Sequence, residues 1–223
     1  MNRKLEFYVG PTNSGKTYNA MKKLKEANSG LYLAPLRLLA LEGYEDLKES
    51  NIEASLITGE EQQLSEDAAH ICSTIEMLDF DLEVDVAVID EVQMLEDNDR
   101  GWAWVNAIIG VPAKKVIMTG SVNALEAVKR IVQYLDEELE VVRHKRKNPL
   151  LVLQKWTPLE KLENGTALIA FSRAEVLKLK QKLQKKYSVS VIYGNLSPEV
   201  RRDEARRFRD GQSQILIATD AIS

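Results

Sequence analysis

The chain has 223 residues, of which 44% are hydrophobic and 29% charged, and its 30 Lys+Arg against 34 Asp+Glu leave a net charge of −4. That is the composition of a soluble globular protein, and the lack of any apolar run near the roughly 18 residues of a membrane span excludes a transmembrane helix. One cysteine, Cys72, excludes an internal disulfide and, beside only His70 and His144, a zinc-ligand set, so a buried core thiol is expected. The length suits one full core and part of a second, since domains run to about 100–200 residues.

The N-terminus, MNRKLEFYVG, enters a strand-like apolar run at once. With no room there for a signal or transit peptide, a cytoplasmic protein without membrane attachment is the expectation. Charge is unevenly spread: Met1–Val142 holds 13 Lys+Arg against 26 Asp+Glu, whereas Arg143–Ser223 holds 17 against 8. The basic second part suits a phosphate backbone, and it equally suits the solvated faces of lysine-rich helices such as KLKQKLQKKY.

In chain order, strand-length apolar runs alternate with helix-length amphipathic stretches, the pattern of parallel sheets built from βαβ units. LEFYV, GLYLA, ASLIT, HICS, DVAVID and KVIMT are predicted strands, with helices at 16–27, 36–49, 102–109 and 123–135. Several strands are Val- and Ile-rich on both alternations, as helices covering both faces of the sheet require. One of Trp102 and Trp104 is expected in the core, and Asp97-Asn98-Asp99 reads as a solvated loop. The basic, proline-ended run from Arg143 to Pro149 breaks the rhythm, so residues 1–145 and 146–223 are expected to form two domains. After it LLVLQ, ALIAF, VSVIY and ILIAT are predicted strands, with helix starts at Thr157-Pro158 and Ser197-Pro198, where an N-cap hydroxyl precedes proline.

Two motifs carry chemistry. The segment Gly10-Pro11-Thr12-Asn13-Ser14-Gly15-Lys16-Thr17 has phosphate-loop spacing between a predicted strand and a predicted helix. Its glycines let backbone N–H groups approach phosphate at a helix N-terminus, Lys16 would reach the β- and γ-phosphates, and Thr17 would hold magnesium through its hydroxyl. The strand VDVAVID then ends in Asp90-Glu91-Val92-Gln93. At the carboxyl end of a parallel strand Asp90 would lie beside the loop as a magnesium ligand, and Glu91 would orient or deprotonate the attacking water.

Motif after motif along the whole chain resembles the superfamily-two DExH-type helicases. GPTNSGKTY, APLRLLA, Thr58-Gly59, STIEM, DEVQ, Thr119-Gly120-Ser121, Phe171-Ser172-Arg173 and ILIATDA follow the family's order. With YGNLSPEVRRDEARRF, the set is most similar to the mitochondrial degradosome RNA helicases of the Suv type and their bacterial relatives. The resemblance implies a RecA-like P-loop domain followed by a truncated second RecA-like domain, gripping single-stranded nucleic acid, RNA in the first place with DNA as the alternative, and binding ATP with Mg2+. It implies that Lys16, Thr17, Asp90 and Glu91 serve ATP, that Gln93, Thr119 and Ser121 relay its state, and that Pro35, Arg37, Thr58, Gly59, Thr74, Ser172, Arg173 and Thr219 face the strand. Taken alone, those strand-facing residues are hydroxyls, glycines and cations at strand ends, a phosphate-contact set that many turns share.

The sequence ends at Ser223, short of the family's arginine-bearing motif VI. Such arginines are worth about 10³–10⁵ in rate in GTPases, so a truncated chain that binds ATP with weak or absent hydrolysis and unwinding is the expectation. Two alternatives stand beside it. Thymidine-type kinases also combine a GPxxSGK loop with an acidic DExQ turn, but with a cysteine-rich zinc element that this sequence lacks. The other is a non-catalytic module that holds nucleotide and nucleic acid without turnover.

Overall fold

The computed structural model describes residues 3–146 and 151–219. The chain divides into two compact units, Met1–Leu150 and Leu151–Ser223.

The first unit runs β1 (Lys4–Val9), α1 (Lys16–Lys25), β2 (Gly30–Ala34), α2 (Arg37–Glu49), β3 (Ala54–Ile57), β4 (Gln62–Gln63) and β5 (His70–Thr74). It continues with β6 (Val84–Ile89), α3 (Gly101–Gly110), β7 (Ala113–Gly120), α4 (Leu125–Tyr134) and β8 (Leu139–Arg143). The strands form one sheet in the order β4-β3-β5-β2-β6-β7-β1-β8, parallel except at the β3–β4 hairpin. Alternate side chains leave opposite faces of each strand. On β1, Leu5, Phe7 and Val9 pack with Trp104 and Ile108 of α3 and with Leu125, Val128 and Val132 of α4. Tyr8 instead joins Ala20, Met21 and Leu24 of α1 and Leu41, Tyr44 and Leu47 of α2 on the other face. Both faces are thus covered by helices, which is why β6 is apolar throughout its buried length. A fully buried leucine such as Leu24 contributes about 1.5–3 kcal/mol to this packing.

The second unit contains β9 (Thr166–Ile169), α5 (Arg173–Leu183), β10 (Val189–Ile192), α6 (Pro198–Arg209) and β11 (Ile215–Ala218), its described strands pairing in parallel in the order β10-β11-β9. Val176 and Leu183 of α5 pack on one face with Val191 and Ile217, while Ala205 and Phe208 of α6 meet Ile192 and Leu216 on the other. Ser197 caps α6 by accepting a hydrogen bond from the Val200 N–H, with Pro198 in the first turn, as that pair of residues predicts.

Several local expectations are corrected. The described part of the LLVLQ run, Leu151–Gln154, forms no strand; it pairs with none of the described strands, and Leu151, Val152 and Leu153 are exposed. Leu150 lies outside the described residues. The cap at Thr157-Pro158 opens only a short 3-10 turn, Leu159–Lys161, because the left-handed Gly165 turns the chain into β9 a few residues later. Edge strand β8 and the two-residue β4 are additions to the predicted set. Cys72 is buried, and burial pushes its thiol well above the ordinary range. Trp104 is fully buried, whereas Trp102 is exposed.

Candidate nucleotide and nucleic-acid site

Because β1, β2, β3, β5, β6 and β7 run parallel, their carboxyl ends share one edge of the sheet. The loop Gly10–Thr17 leaves β1 there, and the acidic turn at Asp90 leaves β6. The strand between them, β7, ties the two together. Its Gly120 carbonyl accepts from the Gly10 N–H at 3.1 Å, and its Thr119 hydroxyl donates to Asp90 Oδ1.

Within the loop, Asn13 (φ 57°) and Gly15 (φ 78°) adopt the left-handed conformation, so the chain reverses just before α1 begins at Lys16. Gly15 is the residue that takes this conformation without cost, and Asn tolerates it. Gly10 is required for a different reason: a Cβ there would lie 2.6 Å from the His144 carbonyl oxygen. Residues Thr12–Tyr18 and Glu91 line a cavity of about 270 Å³. The Ser14 hydroxyl is buried at the loop with no hydrogen-bond partner among the described residues.

Asp90 is only 3% exposed, and its carboxylate is satisfied by four donors. Oδ1 accepts from the Thr17 hydroxyl and the Glu91 N–H, both at 3.1 Å, and from Thr119; Oδ2 accepts from the Tyr32 hydroxyl at 2.9 Å. Its carbonyl oxygen accepts the indole N–H of Trp104 at 2.9 Å. The next residue, Glu91, is left-handed (φ 52°), an uncommon state for a side chain of this size. Its N–H is held between Asp90 Oδ1 and the Thr119 hydroxyl, the latter at 3.3 Å. Lys16 is buried, with Nζ 3.8 Å from Glu91 Oε1. Gln93 donates to Glu91 Oε2 and accepts from the Ser121 N–H at 3.0 Å, joining the acidic turn to the end of β7.

Thr17 and Asp90 together offer hard oxygen donors of the kind magnesium takes from a protein alongside phosphate oxygens. Among the described residues no cluster of three or more His, Cys, Asp or Glu could hold a metal by itself. The buried, unpartnered Ser14 hydroxyl, the buried Lys16 ammonium and the hydroxyl–carboxylate pair fit a metal–triphosphate ligand.

The strand-facing candidates of the first unit lie along the same edge, on the other side of β6. Pro35 and Arg37 follow β2, Thr58 and Gly59 follow β3, and Thr74 ends β5. Thr58 is buried and closes its own turn, accepting from the Glu61 N–H and donating to the Glu61 carbonyl, both at 3.0 Å. Arg37 is paired with Glu60. In the second unit, Ser172 caps α5 by accepting from the Glu175 N–H at 3.2 Å, and Arg173 lies over the Tyr193 ring. Thr219 follows β11, where its N–H donates to the Ile192 carbonyl. Asp220 and Ala221, the end of the motif ILIATDA, lie outside the described residues.

Sequence reading alone does not find Tyr32, Trp104, Arg100, His144 or Arg146. Arg146 donates from Nε and a terminal nitrogen to the Thr12 carbonyl and hydroxyl, at 3.0 and 2.8 Å. His144 continues β8 beyond its last paired residue; its N–H donates to the Val9 carbonyl at 2.8 Å and its ring lies 5.1 Å from that of Tyr8. Residues 97–99 form an exposed loop, as expected, and within it the Asp97 carboxylate accepts from the N–H groups of Asp99 and Arg100 at the start of α3. Those two hydrogen bonds lower the Asp97 pKa.

Residues 1–144 match the DEXQ-box helicase domain of Suv3, and residues 148–223 match the helicase conserved C-terminal domain. The mitochondrial ATP-dependent RNA helicase SUV3 of Candida albicans is 42% identical across 100% of this chain and 32% of its own length. The mitochondrial SUPV3L1 of Gallus gallus is 40% identical across 99% of the chain and 29% of its own length. The chain therefore spans about a third of the length of such relatives. Their mitochondrial names overturn the cytoplasmic expectation, which had rested on the first residues of a sequence that covers only part of each relative. In fold, the chain is similar to the Mycobacterium smegmatis helicase Lhr bound to ssDNA and AMP-PNP, with a TM-score of 0.69, 16% identity and coverage of 99% of this chain and 38% of that one. It is also similar to S. cerevisiae Dbp5 bound to RNA and ADP BeF3, with a TM-score of 0.62, 17% identity and coverage of 99% and 66%. With the phosphate loop, the acidic turn and the bridging β7 at one sheet edge, and with the first-domain match over residues 1–144, the chain belongs to the Suv3 family of DEXQ-box helicases.

Proposed function

We propose that this chain carries the ATP-hydrolysing site and part of the RNA-binding surface of an ATP-dependent RNA helicase. The observation that carries the reading is the junction of Thr17, Asp90 and Thr119 through one carboxylate oxygen, with Lys16 and Glu91 paired beside it. ATP occupies the loop Gly10–Thr17, with Thr17 and Asp90 as the protein's magnesium ligands. Magnesium, when bound, neutralises charge on the β- and γ-phosphate oxygens.

The chain's own groups do the rest. Lys16 exchanges the Glu91 carboxylate for phosphate oxygens, which leaves Glu91 to orient a water and accept its proton as the γ-phosphoryl group departs from ADP. Gln93 holds Glu91 and, through the Ser121 N–H, ties its position to the end of β7. A single RNA strand lies along the sheet edge of the first unit at Pro35, Arg37, Thr58, Gly59 and Thr74; the second unit carries its own backbone-contact candidates at Ser172, Arg173 and Thr219. Most such contacts position a strand without reading its sequence.

The test combines binding with chemistry. A fluorescent ATP analogue with magnesium is expected to bind the wild-type chain, and Lys16→Ala to weaken that binding by about tenfold or more, the equivalent of one lost charge-assisted contact. Glu91→Gln is expected to keep the affinity and to fall below the weak single-turnover hydrolysis of the wild-type chain with single-stranded RNA. Equal affinity of Lys16→Ala and wild type would overturn the assignment.

A further inference from the structure

Arg100 precedes α3 and reaches away from the phosphate loop, toward the edge of the sheet where the strand is proposed to lie. Its Nε donates to Glu76 Oε1 at 2.7 Å, in the 3-10 turn that follows Thr74, and a terminal nitrogen donates to the Pro35 carbonyl at 2.6 Å. One guanidinium therefore clamps the loops after β5 and β2. The same guanidinium lies 5.4 Å from the ring of Trp104, one helical turn on. Trp104 is fully buried, and its indole N–H ends on the carbonyl oxygen of Asp90. Asp97 fixes the start of this path by capping the Arg100 N–H at 2.8 Å, while Gly101 lets α3 approach so closely that a Cβ would lie 2.4 Å from the Leu95 carbonyl.

We propose that Arg100 and Trp104 form a strut that couples the strand-facing loops at Pro35 and Glu76 to the backbone of Asp90 in the nucleotide site. The inference rests on the reading of the site given above. The two ends have different chemistry: an RNA strand moving the Pro35 or Glu76 loop pulls on a planar, bidentate cation, and the indole passes that displacement to the residue whose carboxylate gathers Thr17, Thr119 and Tyr32. Arg suits the first end because its rigid planar fork holds two acceptors in fixed directions and stacks on an aromatic face, whereas Lys offers a flexible point charge that can meet them only in part. Trp suits the second because a rigid ring carries a single donor at its far side. Arg100 and Trp104 are positioning residues; neither needs to touch ATP or RNA.

Coupling between two ligands is the factor by which one changes the affinity for the other, and the factor is reciprocal. It is read by titrating a fluorescent ATP analogue with magnesium into the chain, with and without saturating single-stranded RNA, saturation being checked by anisotropy of labelled RNA. Wild type is expected to bind the analogue about fivefold or more tightly with RNA present, the lower end of ordinary coupling. Arg100→Ala is expected to keep its RNA-free affinity for the analogue within about twofold and to lose the RNA effect. Arg100→Lys should recover it in part. Trp104→Phe, which keeps a ring but removes the donor to Asp90, should lose the effect too, with thermal unfolding measured alongside to show that the fold survives.

An RNA effect in Arg100→Ala equal to that of wild type overturns the strut, as does a wild type whose affinity is indifferent to RNA. Loss of RNA binding itself in Arg100→Ala also overturns it, by making Arg100 a strand contact. Failure of wild type to bind the analogue, or binding by Lys16→Ala as tight as wild type, sinks instead the reading of the site on which the strut rests.

Discussion

Tyr32 on β2 donates its hydroxyl hydrogen to Asp90 Oδ2 at the end of β6, at 2.9 Å and with both groups buried. Burial, and then the charge of Asp90, hold the phenol well above its ordinary pKa, so it stays a donor at every working pH. The bond fixes the carboxylate so that Oδ1 faces Thr17. Tyr32→Phe keeps the ring but leaves Oδ2 short of a donor inside the protein, at a cost of about 1–3 kcal/mol. Urea unfolding is expected to show that loss of stability together with weaker binding of a magnesium–nucleotide analogue. An unchanged midpoint would mean that Oδ2 finds another donor and that Tyr32 does not orient the site.

The Tyr32 ring is held in turn by Gly43 of α2. A Cβ on Gly43 would lie 2.5 Å from Tyr32 Cδ1 and 2.7 Å from Cε1, a ring with no room to retreat in the buried cluster it shares with Leu47 and Cys72. Two effects of Gly43→Ala oppose each other. Alanine favours the helix by about 0.8–1 kcal/mol, whereas overpacking a core commonly costs about 1–3 kcal/mol. With the clash against a ring edge, the second effect is expected to win, and thermal unfolding should show net destabilisation. In a Tyr32→Leu background, which clears the ring, adding Gly43→Ala should instead show the helix gain relative to Tyr32→Leu alone; a further loss of stability against that background would place the cause elsewhere.

What the sequence makes legible follows from how local each signal is. The phosphate loop and the acidic turn are each contiguous, and each follows an apolar stretch, Phe7–Val9 in β1 and Val86–Ile89 in β6, so motif and context coincide. Strand β8 escapes notice because it is an edge strand whose residues are only half buried or exposed, so it lacks the apolar run that marks the interior strands. The opposite error falls on Leu151–Leu153, an apolar run with no described strand beside it. Tyr32 lies 58 residues from Asp90 and Arg100 lies 65 from Pro35, so only the strand order β2-β6 and the packing of α3 join them. A tyrosine in an apolar strand and an arginine at the end of an acidic loop carry no local mark of these partners.

Arg37, expected to meet the nucleic-acid backbone, is engaged by Glu60 across the β2 and β3 loops, and the Arg37 side chain remains 43% exposed. A phosphate arriving there must displace the carboxylate. Exposed pairs are worth about 0–1 kcal/mol, so Glu60→Gln is expected to tighten single-stranded RNA binding by at most about fivefold, and more at low salt than at high salt. Arg37→Gln should weaken it. Anisotropy titrations with a labelled oligonucleotide at two ionic strengths measure both. Weaker binding in Glu60→Gln would show that Glu60 holds Arg37 ready for the strand rather than competing with it.

His144 supplies a pH dependence whose sign follows from its surroundings. Its ring lies beside Tyr8, its Nε2 has no hydrogen-bond partner among the described residues, and Lys16 is the charged group that acts on it. Burial, and then the Lys16 charge, lower its pKa from the ordinary 6.5. The unfolded chain therefore takes up this proton at a higher pH than the folded chain does. Between the two values the unfolded state holds more protons, so stability rises with pH there. Read downward, the contribution is whole above about 6.5, is lost as pH falls toward the folded value, and levels off once the folded ring is also protonated. Urea unfolding of wild type and His144→Gln between about pH 7.5 and 5 isolates this from the carboxylates, which both proteins share. The wild-type midpoint is expected to fall more steeply than that of the variant as the solution is acidified; parallel profiles would show that the ring protonates in the folded protein as freely as in water.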